Sequence, residues 1–410
     1  MMGLEESVKR VGELKCQLEP YVKEYCSKVA NCEKVGKHYE VELFDTILFP
    51  EGGGQPWDLG TINDKKVIKV LRKGLKCVHV LENPLEIGEE VKIILDFNRR
   101  FDHMQQHSGQ HLLSAIFEKH YNLDTTSWYM GSLKNYIQLP IKESELTKEI
   151  IEHVEKLCSE KIREAIPVTV KSYDLGDPNV KRPTSLPDDY GQGIIREIII
   201  DDIDVNPCCG THVKNTSELQ VIKLLNVDRQ GSDNVRLNFI VGQRVLDHYA
   251  DISKREQKLV STLNAKPELL AAKAEQTIQA NKDMNKQLKN MNLELTLNYK
   301  NDIINRLSHS DIVCCHHPYT EMDFIKIIKS EFQAKLQDLH DNNKLVLVSG
   351  GSKSGPLMIL GNTDMISHVL KLIENVPKKG AMTGDMKWQG KCTDLDKLLS
   401  SYNEIEKIKS

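Results

Sequence analysis

Long apolar runs are missing from this chain. No stretch is long enough to cross a bilayer, and the opening MMGLEESVKR lacks the apolar centre of a secretory signal. Gly3 follows two methionines, which does not fit a myristoylation start. A disulfide framework is missing too. The 10 cysteines are scattered, and Cys208-Cys209 and Cys314-Cys315 are adjacent pairs, a usage that suits a reducing cytosol and a cytoplasmic protein. Excess positive charge is absent. The net charge is -4, so contact with a polyanion needs a local basic face. No Gly-Lys-Ser/Thr follows the triple glycine Gly52-Gly53-Gly54, which excludes a P-loop. No Glu follows His107, which argues against the HExxH metalloprotease arrangement. Internal repeats and low-complexity segments are not evident.

What remains is an ordinary globular composition, 40% hydrophobic and 28% charged, with a mean hydropathy of -0.42. At 410 residues it is too long for one core. The spacing of residues predicts an α+β protein in four parts. Residues 1–97 form a small N-terminal β-barrel, with helix over 4–30 and strands at Val41–Leu43, Thr46–Phe49, Val67–Leu71, Cys77–Leu81 and Val91–Asp96. Residues 98–250 form an α+β domain with helices near 102–120 and 145–165. Over 251–306, Leu270, Ala274, Thr277, Asn281, Met284, Leu288, Met291 and Leu295 recur at alternating fours and threes. That is a coiled-coil seam through which the chain can self-associate, or an amphipathic helix lying on its own domain. Residues 307–410 form a small α/β domain.

The chemistry concentrates in Phe101–Ile116. His107 and His111 are four apart on the expected helix, so they share a face. Asp102 with Gln105 reads as its N-cap. His103 makes a second i,i+4 pair with His107, but His103 and His111 lie about 80° apart around the axis, so the three do not share one ion. A second pair, Cys208 and His212, has the same spacing in Pro207-Cys208-Cys209-Gly210-Thr211-His212. Two histidines plus Cys and His suit Zn²⁺. The triple glycine reads either as a hairpin turn needing positive φ or as a loop whose bare backbone approaches a ligand.

Three motifs then agree in order and spacing. Phe49-Pro50-Glu51-Gly52-Gly53-Gly54-Gln55, His107-Ser108-Gly109-Gln110-His111-Leu112-Leu113 and Cys208-Cys209-Gly210-Thr211-His212-Val213 resemble the editing-domain motifs of alanyl-tRNA synthetases. The chain resembles the free-standing alanyl-tRNA editing proteins of the long AlaX type, and closely their eukaryotic cytosolic members. Gly384-Asp385-Met386-Lys387-Trp388-Gln389-Gly390 looks like a degraded form of the synthetase's C-terminal glycine motif, and Cys209 stands where the synthetase motif has glycine.

The resemblance implies a zinc-dependent hydrolase that removes serine, and less so glycine, from tRNA(Ala), meeting the tRNA at its acceptor end. It implies one Zn²⁺ on His107, His111, Cys208 and His212, and a substrate pocket under Gly52, Gly53, Gly54 and Gln55. Serine and alanine differ by one hydroxyl, and Thr125, Thr126 and Ser127 are the nearest suitable side chains after the helix. Arg99, Arg100, Lys161, Arg163, Lys181, Arg182, Arg229 and Arg236 are candidates for the basic face, Arg236 also for substrate contact. The competing readings are a non-catalytic RNA-binding module with a structural zinc, and an unrelated zinc hydrolase of small esters or amides.

Overall fold

The computed structural model describes residues 7–177, 186–191, 193–319, 322–376 and 378–408. The chain divides into two compact units, Met1–Gln257 and Lys258–Ser410. Both mix helix and sheet, as the residue pattern predicts.

The first unit opens with strand where helix is expected over 4–30. Among the described residues of that span, only Lys15–Leu18 (α1) is helical. Pro20 stops it, and strand partners on both sides of the next segment override local helical spacing. The strands are β1 Glu24–Val35, β2 His38–Leu43, β3 Gly60–Ile62, β4 Lys65–Lys66, β5 Lys69–Lys73, β6 Lys76–Leu81 and β7 Glu90–Leu95. They form an antiparallel sheet in the order β4-β3-β7-β1-β2-β6-β5. β1 serves two partners: Glu24–Lys28 pair with β7, and Val29–Val35 pair with β2, with a bulge between Val29 and Asn31. Residues from both halves, among them Val29, Val41, Ile62, Val70, Leu81 and Ile93, share one core.

This sheet is not the closed barrel that strand spacing predicts. The segment 46–58 bridges its ends instead. Glu51 N–H donates to Val70 O of β5 (3.2 Å), and Asp58 N–H, two residues before β3, donates to Phe49 O (3.1 Å). Thr46–Phe49 is therefore buried irregular chain, not strand. Side chains satisfy its backbone: Leu48 N–H donates to Thr46 Oγ1 (3.0 Å), Phe49 N–H to Asp58 Oδ2 (2.7 Å), and Ile47 O accepts from Arg100 Nη2 (2.7 Å).

The next helix, α2 Phe97–Tyr121, starts five residues before Asp102. Asp96 is its N-cap, accepting from Arg99 N–H at 3.2 Å. Asp102 instead pairs with Arg244 at 2.7 Å, so the capping-box expectation fails. α2 is tied to the first sheet by Arg100. Its guanidinium is fully buried against Asp58, also fully buried, with Nε at 3.0 Å from Oδ2, and it donates to Pro20 O at 3.0 Å. This burial removes Arg100 from the basic face; Lys181 and Arg182 lie outside the described residues. α2 also packs on the sheet β13-β14-β9-β8, made of β8 Ser127–Met130, β9 Asn135–Leu139, β13 Ile222–Gln230 and β14 Asn234–Val241. Gly109 makes the crossing close: a Cβ there would sit 2.5 Å from Val241 Cγ2. Leu112, Leu113, Ile116 and Phe117 continue into a core with Ile137, Leu237, Phe239 and Val154 of α3 (Lys148–Arg163). A third sheet, β10 Val168–Asp174, β11 Ile194–Ile200 and β12 Asp204–Pro207, leads directly into the Cys208 turn.

Helix α4 (Gln243–Leu263) runs across the boundary between the units, and α5 (Leu270–Leu307) follows. Asn264, at φ 47°, and Pro267 separate the two. The rest of the second unit is built of shorter helices and the sheet β15-β16-β17-β19-β18, with β15 Ile312–His317, β16 Leu345–Gly350, β17 Gly355–Gly361, β18 Lys378–Met382 and β19 Lys387–Cys392. Alternate residues of β16 feed two cores, Leu345 and Leu347 on one side, Val346 and Val348 on the other. The Gly384–Gly390 motif falls in the hairpin from β18 to β19.

Breaking a buried ion pair by neutralising one partner strands the other charge, at a cost of about 3–5 kcal/mol. Asp58→Asn is expected to lower unfolding free energy by that amount. Urea denaturation of the variant checks it, and a loss under about 1 kcal/mol contradicts the role given to this pair.

Candidate metal centre

His107 and His111 project from α2, and Cys208 and His212 from the turn after β12. Their ligand atoms all lie within 4.8 Å of one another. Cys208 Sγ is 3.3 Å from His107 Nε2 and 3.3 Å from His212 Nε2. Two donors on one tetrahedral ion, at bonds of about 2.3 Å to sulfur and 2.0 Å to nitrogen, would stand about 3.5 Å apart.

The outward nitrogens explain why the rings face inward. His107 Nδ1–H donates to Gln55 Oε1 (3.0 Å), and His111 Nδ1–H to Asp204 Oδ2 (3.3 Å). His212 Nδ1 lies 3.0 Å from Ser108 Oγ. Each ring is held by a partner behind it; at His107 and His111 that partner accepts from Nδ1–H and leaves Nε2 toward the cluster. Gln55 is itself held, accepting from Thr211 N–H (3.0 Å) and donating from Nε2 to Thr211 Oγ1 (2.9 Å). Gln55 thus joins the glycine loop to both ligand pairs. The donor set and its supports fit a tetrahedral divalent ion. His103 stays outside the cluster; it is buried on α2 and burial pushes its pKa down to about 3.

Without an ion the cluster holds protons unevenly. Burial pushes His212 down to about 3. Burial also opposes charge on Cys208, but His107 and His212 outweigh it and hold the thiol well below its usual value. At His111 burial lowers the pKa, and the bonds to Asp204 and Cys208 raise it further, to about 9.

The cluster opens on a cavity of about 350 Å³ whose wall includes Phe49, Gly52, Gly53, Trp128, Arg196, His107, His111, Cys208 and Cys209. The hairpin-turn reading of the triple glycine applies. Gly52 and Gln55 exchange main-chain hydrogen bonds (3.1 and 3.0 Å), and Gly53 and Gly54 take φ 57° and 82°. This is a tight turn with positive φ at both central residues. It also approaches the site closely: a Cβ on Gly53 would meet Cys209 Sγ at 2.8 Å, and one on Gly54 the Trp128 ring at 2.7 Å.

The hydroxyl cluster is placed elsewhere. Thr125 Oγ1 pairs with Ser114 Oγ (2.7 Å), and Thr126 Oγ1 donates to Gln138 O (3.2 Å). Ser127, Gln138 and Arg236 form one row across the sheet, on the face opposite Trp128. The Arg236 guanidinium lies 4.4 Å over the Tyr136 ring. None of these four residues is in the described cavity wall. From the same strand it is Trp128 that reaches the site, its ring 4.8 Å from that of His107. Trp128, Asp204, Ser108 and Arg196 were not singled out in the sequence. An Asp shortly before the Cys pair was the only available cue, and it has no fixed offset.

An ion must displace the proton that His111 carries below about pH 9. Its apparent affinity is therefore expected to rise with pH up to about 9 and to level off above, measured by chelator competition; a flat profile contradicts this assignment. Asp204→Asn is expected to weaken the metal by about 10–100-fold in the same assay.

Comparisons with known proteins give the chain its family. Residues 195–238 match the family model described as the threonyl and alanyl tRNA synthetase second additional domain. The chain is 34% identical over 409 residues to the rat alanyl-tRNA editing protein Aarsd1, covering 94% of this chain and 97% of the relative. It is 35% identical to the zebrafish (Danio rerio) protein of that name, over 93% and 94% of the two chains. The archaeal alanyl-tRNA editing protein AlaX-L of Pyrococcus horikoshii is 34% identical over 57% of this chain and 59% of its own. With identity of this level along nearly its whole length, the chain belongs to the family of alanyl-tRNA editing proteins, which are hydrolases.

Proposed function

We propose that this hydrolase deacylates mischarged tRNA(Ala) in trans in the cytoplasm, chiefly Ser-tRNA(Ala) and less so Gly-tRNA(Ala), at a site built on one Zn²⁺. The observation that carries the reading is the three-nitrogen, one-sulfur cluster opening directly on the cavity under Gly53. His107, His111, Cys208 and His212 would hold the ion. When bound, zinc supplies Lewis acidity toward the ester or the substrate's amino group, and otherwise anchors the two ligand pairs.

The protein's own groups do the rest. The 3′ end of the acceptor enters the cavity, and Gly52 and Gly53 let the main chain come close to it. Trp128 offers an apolar face beside His107. Water adds to the carbonyl carbon, the ester C–O bond breaks, and the terminal ribose oxygen takes the proton. Free amino acid and uncharged tRNA leave. An aminoacyl ester is already activated, so positioning and support of the developing oxyanion are the main requirements. Thr125, Thr126 and Ser127 remain the proposed selectors of the serine hydroxyl and Arg236 a proposed substrate contact, although none of the four lines the cavity. Arg99, Lys161, Arg163 and Arg229 are proposed phosphate contacts.

The zinc-loaded protein is expected to release serine from Ser-tRNA(Ala) and to spare Ala-tRNA(Ala). Gly53→Val, which puts a branched side chain at positive φ against Cys209, is expected to slow release at least about tenfold. A second reading is favoured by the filled set of four protein ligands, which is usual for a structural zinc: an RNA-binding module without catalysis. Tight binding of tRNA(Ala) with the serine ester left intact would establish that reading instead.

The seam on α5 supports self-association. Met284, Leu288 and Met291 are 59%, 51% and 65% exposed at heptad spacing, and Asn281 is the polar position that sets register. Sedimentation equilibrium is expected to show a dimer that Leu288→Glu with Met291→Glu converts to monomer; a wild-type monomer at tens of micromolar rejects the seam.

A further inference from the structure

Arg196 is a buried cation with no carboxylate partner among the described residues. It lies on β11 and is 3% exposed. Its two terminal nitrogens are occupied. Nη1 donates to the carbonyls of Cys209 (2.9 Å) and Gly210 (2.8 Å), with Cys208 O at 3.4 Å, and Nη2 donates to Gln17 O (2.7 Å). Gln17 Nε2 supports the same turn, donating to Cys209 O at 2.7 Å. The remaining donor, Nε–H, is buried and has no hydrogen-bond partner. Arg196 also forms part of the cavity wall, with Cys208, His107 and His111. An unpaired donor on a buried charge costs free energy in the resting protein. The cost is recovered when an acceptor arrives, most of all an acceptor gaining negative charge.

We propose that Arg196 Nε–H donates to the ester carbonyl oxygen of the bound substrate and strengthens that bond as the oxygen becomes the oxyanion. This rests on the deacylase reading. The fork of the guanidinium holds the turn of Cys208 through its carbonyls, so the same side chain fixes the ligand turn and aligns the donor with it. Such preorganised donors are worth about 10²–10³ in rate.

The test uses two ligands on the full chain. One is a phosphonate analogue of the serine ester of adenosine, whose tetrahedral P–O⁻ stands where the oxyanion develops. The other is the amide analogue, which keeps the planar ground state. The wild type is expected to bind the phosphonate at least about 100-fold more tightly. Arg196→Lys and Arg196→Gln are expected to lose most of that preference while binding the amide within about threefold of wild type, at full metal content measured on the same samples. Gln17→Ala loosens the same turn without touching Nε, and is expected to shift metal content but keep the ratio of the two affinities. Three results overturn the proposal: no phosphonate preference in the wild type, an unchanged ratio in a metal-replete Arg196 variant, or parallel loss of both ligands in step with lost metal. If neither Arg196 variant folds, the Nε–H proton resonance of Arg196 in the wild type decides the matter: a downfield shift with the phosphonate and not with the amide is expected, and no such shift overturns the proposal. Failure of the deacylase reading shows separately, as wild-type protein that binds neither analogue and leaves the serine ester on tRNA(Ala).

Discussion

The buried pair of Arg100 and Asp58 is the constraint on which the first unit depends. Asp58 accepts from Phe49 N–H and Arg100 donates to Ile47 O, so one ion pair fixes the chain entering the glycine turn and the first turns of α2. The glycine turn forms the cavity wall, and α2 carries two metal ligands. Together with the bond from His107 to Gln55, the pair holds the two in register. The pair also accounts for the open sheet. The segment it holds in place occupies the gap that a barrel would close by strand pairing.

A second layer of polar side chains converts that rough alignment into a site. Gln55, Asp204 and Ser108 each stand behind one imidazole, and each comes from a different part of the chain. Arg196 and Gln17 do the same for the turn of Cys208 by holding its carbonyls. The ligands alone could meet in several tautomers and rotamers. With these partners, one arrangement satisfies the outward ring nitrogens and the turn carbonyls, and incomplete arrangements leave costly orphans.

The ligand residues were legible because their signal is local. His107 with His111, and Cys208 with His212, are spacings that a helix or a turn converts to one face. The positive-φ turn at Gly53 was legible for the same reason. The supports were not, since nothing in the neighbourhood of Asp204 or Arg196 fixes which histidine or carbonyl either will meet. Trp128 was passed over for the adjacent hydroxyls because strand alternation alone does not say which face looks inward. The helix expected over 4–30 failed because β1 is decided by its pairing with β2, next in the chain, and with β7, far along it. Asp102 resembled a cap, but Asp96 precedes it with the same chemistry, and Arg244 claims Asp102 from 142 positions away.

The two halves of the metal cluster lie 101 residues apart in sequence, from His107 to Cys208. A ribosome adding about 5–20 residues per second takes roughly 5–20 s to cover that distance. During that interval the nascent chain carries the histidine pair without the thiolate. The complete ligand set exists only after the turn of Cys208 has emerged and β12 has joined its sheet. A metal held by all four residues would thus be acquired only once Cys208 and His212 have been made, and its loading would report on the completion of the first unit more than on its beginning.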